Sequence, residues 1–323
     1  MMDFTLQDQK LPFVSIVLPV FNEERYLESC LKTLGQIEYP KDKYEIITVD
    51  NGSTDNSLNI AKQYADQSLL LPNVNVGAVR NFGVKHAKGK VLVFLDSDCL
   101  VPASWLHQGV GLLFSGEKNV YGGNLNLREN PYWIERYWLL KNNNDQASQH
   151  DLLGSCIFIR KEAFLDAQGF DESVTSGEDS TLSKTLVDLG YKVIIDSRLG
   201  VVHLGNPTTV AGFVKRQIWH SENYVKAIKE ALKDKVFWLI IVYFIGVLGV
   251  FLSGFVASET VGFYVVAVIC PPAILSVKRI VRANYKPKSL VDLVSIYIID
   301  NLYLIGRALG ILKGFVKLVP GIR

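Results

Sequence analysis

Two kinds of apolar pattern run along the chain. In the first two hundred residues, short β-branched runs are each followed by a polar turn and a helix-like stretch: VSIVLPV at 14–20, EIITVD at 45–50 and VLVFL at 91–95. Apolar runs of this length mark strands buried on both faces, and their alternation with helices predicts an α/β domain with a largely parallel sheet. Between them, NEERYLESCLKTL places apolar residues at helical spacing, Ser53, Thr54 and Asp55 offer capping oxygens to DNSLNIAKQYA, and residues 77–87 form a further helix. In such sheets ligands bind beyond the carboxyl ends of the strands, where Asp50 and Asp96 both fall.

The second pattern occupies the C-terminal third. Residues 236–257 (VFWLIIVYFIGVLGVFLSGFVA) carry no charge and are long enough to cross a bilayer as a helix. Residues 261–277 lie near the lower length limit, and Pro271 and Pro272 either kink a second span or mark a re-entrant segment. The loop at 258–260 lacks Lys and Arg, whereas the outer flanks KAIKEALKDK and KRIVRANYKPK are basic, so the positive-inside rule puts both flanks in the cytosol. Read as one helix, residues 289–317 gather Ser289, Asp292, Ser295, Asp300, Tyr303, Arg307, Gly310, Lys313 and Lys317 on one arc. A third span would carry Lys313, Lys317 and Arg323 to the far side and set Asp292, Asp300 and Arg307 in lipid. An amphipathic helix in the cytosolic interface avoids both costs, although Asn301 falls on its apolar side. The expected organisation is a catalytic-type domain at 1–232, a membrane hairpin at 233–288 and an interfacial helix with tail at 289–323. The competing reading is a buried helical hairpin within a soluble domain.

Composition supports this division. A chain of 323 residues holds about two domains, and a hydrophobic content of 49% suits one that is partly embedded in a membrane. A net charge of +2, without a basic stripe interleaved with aromatics, excludes nucleic acid as an expected partner. Cys30, Cys99, Cys156 and Cys270 show neither zinc-ligand nor disulfide-framework spacing and fit a reducing compartment. The first ten residues lack the basic and apolar regions of a signal peptide, so the N-terminal domain is expected in the cytosol with the chain multi-pass in the cell (inner or plasma) membrane.

The chemistry concentrates at VFLDSDCLVP, residues 93–102, where a buried run ends in two aspartates. Alone, an Asp-x-Asp is a polar turn that caps the next helix. Like charges at the edge of a core repel unless a cation offsets them. Asn22 with Glu23, Asp50 with Asn51 and Asp55, and Asp96 with Asp98 stand after three successive strands and can converge on one crevice. Such a set of oxygen donors suits Mg2+ or Mn2+ shared with substrate phosphates. A nucleotide diphosphate is the guest expected; neither a P-loop nor a Gly-x-Gly-x-x-Gly follows the first strand, so the metal must carry much of the phosphate recognition.

SIVLPVFNEERYLESCLKTL, IITVDNGSTDNS, NVGAVRNFGVKHAKGKVLVFLDSDCLVP, GSCIFIRKEAFLDAQGFDES and SGEDSTLSKTLVDLGYKV follow one another in this order. They resemble the successive blocks of family 2 glycosyltransferases of the GT-A fold, over residues 12–204. The resemblance implies that Pro19, Phe21, Asn22 and Glu23 approach the donor nucleotide and that Asp50 contacts its base or ribose. Asn51 stands where a second aspartate is frequent, which leaves the base open. Arg80 matches a basic position that faces the nucleotide; the plainer reading is a surface arginine on its helix. Asp98 matches the direct metal ligand, Asp96 the residue nearer the sugar or ribose, and His203 a histidine that completes the metal or diphosphate site, unless it is simply structural.

Asp179, with Glu178 beside it, matches the catalytic base, in a turn where Ser176 can equally cap the helix that follows. Farther along, Arg216, Trp219 and His220 lie on a basic amphipathic helix and either touch the diphosphate or acceptor or anchor that helix at the lipid interface. The implied activity is inverting, metal-dependent transfer of one sugar from a nucleotide-sugar donor to a lipid-linked acceptor at the cytosolic membrane face. The alternatives are a non-catalytic nucleotide-sugar-binding subunit of a polysaccharide assembly complex and nucleotidyl transfer onto a sugar phosphate.

Overall fold

The structure, a computed structural model, describes residues 11–140, 151–174, 176–221, 224–225, 228–253 and 260–318. These divide into two compact units, one of residues 11–128 and 151–205, the other of 129–140 with the described residues from 206 onward.

The first unit is built on one mixed sheet. Its strands are β1 (Val14–Val20), β2 (Tyr44–Asp50), β3 (Gln67–Leu70), β4 (Val91–Leu95), β5 (Cys99–Leu100), β6 (Asn119–Asn126), β7 (Cys156–Arg160) and β8 (Lys192–His203), in the order β3-β2-β1-β4-β7-β6-β8-β5. The three strands read from the sequence are present within a residue of their expected bounds. β3, β2, β1 and β4 are mutually parallel, but β7 runs antiparallel to both β4 and β6, and β5 antiparallel to β8. The expected largely parallel arrangement therefore holds for half of the sheet. Parallel neighbours need long crossovers, and the regular strand-helix-strand units end at β4.

Helices α1 (Leu27–Gly35), α2 (Ser57–Tyr64), α3 (Val76–His86), α4 (Trp105–Leu113), α6 (Lys161–Asp166) and α7 (Glu178–Asp188) cover the two faces, while α5 (Trp133–Leu139) belongs to the second unit. The apolar runs lack alternation because both faces are buried: Val14, Ile16, Leu18 and Val20 join a core under α1 and α4, and Val17 joins the opposite core under α3, α6 and α7. Capping differs in detail from expectation. Asp55 alone of the three candidates holds the start of α2, accepting from the amide and hydroxyl of Ser57. The residue before α7 is Gly177 at φ +84°, a left-handed position open to glycine, so Ser176 does not cap it.

The second unit contains α5, α8 (Val210–Ser221), α9 (Ile228–Ala231), α10 (Lys235–Ser253), α11 (Val261–Arg282) and α12 (Leu290–Leu318). The break at 205/206 puts α8 here, whereas a boundary at 232 would have left it with the sheet. α10, α11 and α12 are each long and apolar enough to cross a membrane. α11 continues through Pro271 and Pro272 to Arg282, past the expected end at 277. Residues 254–257, 258–259 and 319–323 of the expected first span, loop and tail lie outside the described residues.

Some polar groups in this unit face inward. Asp300, 1% exposed, accepts from Arg279 at 2.6 Å and from Ser276 at 2.7 Å, and Asp292 accepts from the Tyr137 hydroxyl. Leu290, Val294, Ile298, Ile305, Leu309 and Leu312 form an exposed apolar side of α12. The middle of the expected polar arc, Asp300 and Gly310 above all, is thus packed against protein, whereas Ser289, Lys313 and Lys317 at its ends are exposed. Asn301 is satisfied by the Tyr243 hydroxyl and the Tyr297 carbonyl. Gly306 and Gly310 let α8 approach closely: a Cβ on either would meet Gln217 at 2.6 Å or Ser221 at 2.0 Å.

One glycine makes the sheet packing testable. A Cβ on Gly109, inside α4, would lie 2.1 Å from the Phe158 ring, which itself packs edge-on to Trp105. Alanine normally stabilises a helix interior over glycine by about 1 kcal/mol, whereas forcing a methyl into a filled core costs about 1–3 kcal/mol. Gly109→Ala should therefore lower the thermal midpoint of the full chain in detergent, and an unchanged or higher midpoint would contradict this packing.

Candidate active site

The carboxyl ends of β1, β2 and β4 lie on one edge of the sheet, because these strands are parallel and in register, with Val20 beside Asp50. Two of the loops leaving that edge are tied together. The Asn22 amide donates to Ser53 Oγ, Asn22 Oδ1 accepts from the Thr54 amide, the Glu23 amide donates to Ser57 Oγ, and the Glu24 amide donates to Asp55. Asn22 adopts φ +55° to make this clasp. Pro19 is half-buried just before it, and Phe21 stands 56% exposed just after β1.

Asp50 is buried and shapes its own turn, with Oδ1 accepting from the amides of Gly52 and Ser53 at 2.8 Å. Its Oδ2 is buried without a hydrogen-bond partner among the described residues. Asn51 spends both ends of its amide on the backbone of Val74, so its side chain braces one loop against the next.

Arg80 is the hub. It is 3% exposed and donates to Asp96 Oδ1 at 2.8 Å and to Glu178 Oε1 at 2.6 Å, with its guanidinium over the Phe170 ring. The reading of a surface arginine is overturned. Its terminal nitrogens are aimed at carboxylates, which places Arg80 beneath the crevice as the group that joins the end of β4 to the start of α7. Gly154 makes room for it: a Cβ there would sit 2.5 Å from Nη2.

The start of α7 brings the candidate base. Glu178 is buried against Arg80, whereas Asp179 is half-buried and accepts from the Gly154 amide through Oδ2 at 2.9 Å. Burial raises the Asp179 carboxyl above the usual range, and neighbouring Glu178 adds to the rise.

Asp98 and His203 meet because β5 pairs with the end of β8. Cys99 lies opposite His203, the Leu204 amide donates to the Asp98 carbonyl, and His203 Nε2 comes within 3.4 Å of Asp98 Oδ2. Asp98, Cys99 and His203 present donor atoms within 4.8 Å of one another. Burial pushes the Cys99 thiol far up, which keeps it protonated and leaves the carboxylate and imidazole as the useful donors. A Cβ on Gly205 would reach 2.0 Å from Asp98 Oδ2, so glycine keeps that oxygen's approach open.

Glu23 responds to the whole cluster. Burial, then the charges of Asp98, Asp96 and Asp55, push its carboxyl up to about 7. An excess of negative charge around buried oxygen donors is the electrostatic condition in which a divalent cation is stabilising.

All twelve expected residues of the sheet domain thus lie in the first unit, with Arg80, Asp96, Glu178 and Asp179 in one linked set and Asp98 and His203 in direct contact. Arg216, Trp219 and His220 lie in the second unit on α8; Trp219 is 57% exposed, and burial, with Arg307 and Arg216 nearby, holds the His220 imidazole down to about 4. Gly154 and Gly205 were not singled out from the sequence, and Cys99 was read there only as a cysteine without metal-ligand spacing. The signal for the two glycines was their position, Gly154 opening the GSCIF block and Gly205 two residues after His203.

Residues 15–166 match the family model described as Glycosyl transferase family 2. Over 194 residues the chain is 32% identical to glycosyltransferase AglE of Haloferax volcanii, covering 57% of this chain and 64% of that protein. It is 30% identical over 105 residues to the dolichyl N-acetyl-alpha-D-glucosaminyl phosphate 3-beta-D-2,3-diacetamido-2,3-dideoxy-beta-D-glucuronosyltransferase of Methanococcus voltae, covering 30% of this chain and 33% of that one. The chain therefore spans less than two thirds of the length of these relatives. In fold it is similar to the mannosyltransferase PcManGT of Pyrobaculum calidifontis, solved in complex with GDP-Man and Mn2+, with a TM-score of 0.59, 20% identity and coverage of 94% of this chain and 88% of that one. The sheet domain has the GT-A fold, and within it residues 15–166 are similar to the family 2 glycosyl transferases.

Two outcomes test this geometry. Arg80→Met leaves the buried Glu178 and the half-buried Asp96 without their cation, and breaking a buried pair costs about 3–5 kcal/mol; a thermal midpoint within error of the parent chain would show that Arg80 is not the hub. For pH, the sign follows from Glu23. Its folded value of about 7 exceeds its ordinary 4.5, so the folded chain holds the extra proton and loses stability as pH rises through that window. Melting curves with chelator from about pH 5 to about pH 8 should show this decline, with a smaller slope in Glu23→Gln.

Proposed function

We propose that the chain is a membrane-anchored inverting glycosyltransferase that moves one sugar from a nucleotide-sugar donor to a lipid-linked acceptor at the cytosolic membrane face, with a divalent cation. The observation that carries this reading is the Arg80 bridge, which joins the Asp96 end of β4 to the Asp179 end of α7. It supports a reading in which Asp98, the aspartate that Arg80 does not engage, and Asp179, a carboxylate of raised basicity, serve one crevice.

Asp98 and His203 would hold Mg2+ or Mn2+; their oxygen and imidazole donors suit such an ion, and Gly205 leaves the Asp98 oxygen accessible. When bound, that ion supplies neutralisation of the diphosphate leaving group. The rest is the work of the chain. Asp50 Oδ2 offers an unused acceptor to the ribose or base, and Asn22 and Asn51 hold the two loops against which the nucleotide lies. Asp179, oriented by the Gly154 amide, removes the acceptor hydroxyl proton as that oxygen forms its bond to C1 of the sugar. The bond from C1 to the diphosphate oxygen breaks on the opposite face, and a nucleoside diphosphate leaves. A raised carboxyl value makes Asp179 a better base at neutral pH, and its proton passes to solvent afterwards.

Support for the donor and the ion comes from PcManGT, whose complex holds GDP-Man and Mn2+, and for a lipid-linked acceptor from the Methanococcus voltae enzyme, whose name specifies a dolichyl phosphate saccharide. The cytosolic membrane location rests on the apolar helices and their basic flanks. Arg216, Trp219 and His220 are proposed as acceptor or diphosphate contacts on the strength of their basic amphipathic helix alone.

The test is turnover of a panel of nucleotide sugars by the full chain in detergent, with polyprenyl-phosphate saccharides and Mg2+ or Mn2+. Nucleoside diphosphate should be released. Asp179→Asn should lower kcat by about 100-fold or more with donor affinity little changed, and Asp98→Asn should raise the metal concentration needed for half-activity. Donor binding without nucleotide release by any acceptor would favour a binding subunit, and release of pyrophosphate would favour nucleotidyl transfer.

A further inference from the structure

We infer that a cavity among the membrane helices binds the phosphate of an anionic lipid, with Lys278 and Arg282 as its contacts. The cavity lies within the second unit, has a volume of about 210 Å3, and is lined by Trp138, Lys278, Arg279, Arg282, Asp300 and Tyr303 among others. Pockets for whole drug-sized ligands run to about 300–1,000 Å3. This one suits a headgroup.

Its three cations are not equivalent. Arg279 is committed to the fold: it pairs with Asp300 at 2.6 Å, donates to the carbonyls of Tyr137 and Trp138, and lies over the Trp138 ring. Trp138 in turn stacks on Tyr303 with ring centroids 5.5 Å apart, so the wall is held from several sides. Asp300 has its oxygens taken by Arg279 and Ser276. Lys278 and Arg282, four residues apart on α11, share one helix face. Both are exposed, and neither has a carboxylate within 4 Å among the described residues. The cavity thus holds one neutralised ion pair and two uncompensated cations, a charge balance that an anion completes.

The source of that anion follows from the surroundings. Ile274, Val277 and Val281 of α11 and Trp238 of α10 are exposed, an apolar surface along which an acyl or prenyl chain can lie while its phosphate reaches the cavity. The basic pair follows the apolar stretch 261–277, which sets it at headgroup height if α11 spans the bilayer. A free phosphate would gain nothing from that surface. The simpler account is that Lys278 and Arg282 only mark the cytosolic flank, in which case they are equivalent to Lys286 and Lys288 just beyond the helix.

The experiment separates these accounts. Native mass spectrometry of the full chain in detergent, titrated with phosphatidylglycerol, phosphatidylcholine or inorganic phosphate, should show one retained phosphatidylglycerol and no comparable retention of the other two. Lys278→Ala with Arg282→Ala should weaken that retention about 25-fold, about 5-fold for each cation near an anionic headgroup, whereas Lys286→Ala with Lys288→Ala should stay within about 2-fold of the parent, because exposed charges outside the site are screened. Lys278→Arg should retain the lipid. Equal losses from the two double variants, equal retention of the zwitterionic lipid, or displacement by inorganic phosphate alone would each overturn the proposal. The inference uses the membrane reading of α11 but not the transferase reading, and donor turnover by the Lys278/Arg282 variant reports the latter separately.

Discussion

The buried guanidinium of Arg80 is the interaction on which the site depends. Two carboxylates at the edge of a core would repel each other and resist ionisation, and the chain places its own cation between Asp96 and Glu178 to hold both in place. That choice leaves the neighbouring residues, Asp98 and Asp179, outside the pair. Each turn therefore has one carboxylate used for structure and one left at the crevice. Gly154 serves both halves, through the space it leaves for Arg80 and the amide it gives to Asp179.

Burial raises Asp98, Asp179 and Glu23 together, with Asp96 and Asp98 adding to the rise at Glu23. A site in which several carboxyls resist losing their protons is one where a cation is most stabilising, because binding removes the repulsion that each of them feels. The Arg80 bridge and the proposed metal ion thus divide the same electrostatic problem, one permanently and one in the working state.

In the second unit charges are again paired among packed elements. Asp300, Arg279 and Ser276 are paired inside the helices while the long apolar side chains of α12 face outward. Periodicity placed Asp300 on a polar arc of α12, but a sequence pattern separates two faces without saying what packs against each. Asn301 counted against an apolar face only while its partner, Tyr243 on α10, was invisible.

What the sequence determined by itself is the set of elements and the residue types at strand ends. β1, β2 and β4 were legible because strands buried on both faces leave uninterrupted apolar runs, and the aspartates were legible because they end those runs abruptly. The tertiary structure decided which carboxylates are spent and which are free. Arg80 and Glu178 are 98 residues apart, and Cys99 faces His203 across a two-residue ribbon too short to leave a periodic signal. Direction in the later half of the sheet, the burial of Arg80 and the burial of Asp300 on α12 all depend on which distant segment packs against which, and spacing along one chain carries no record of that.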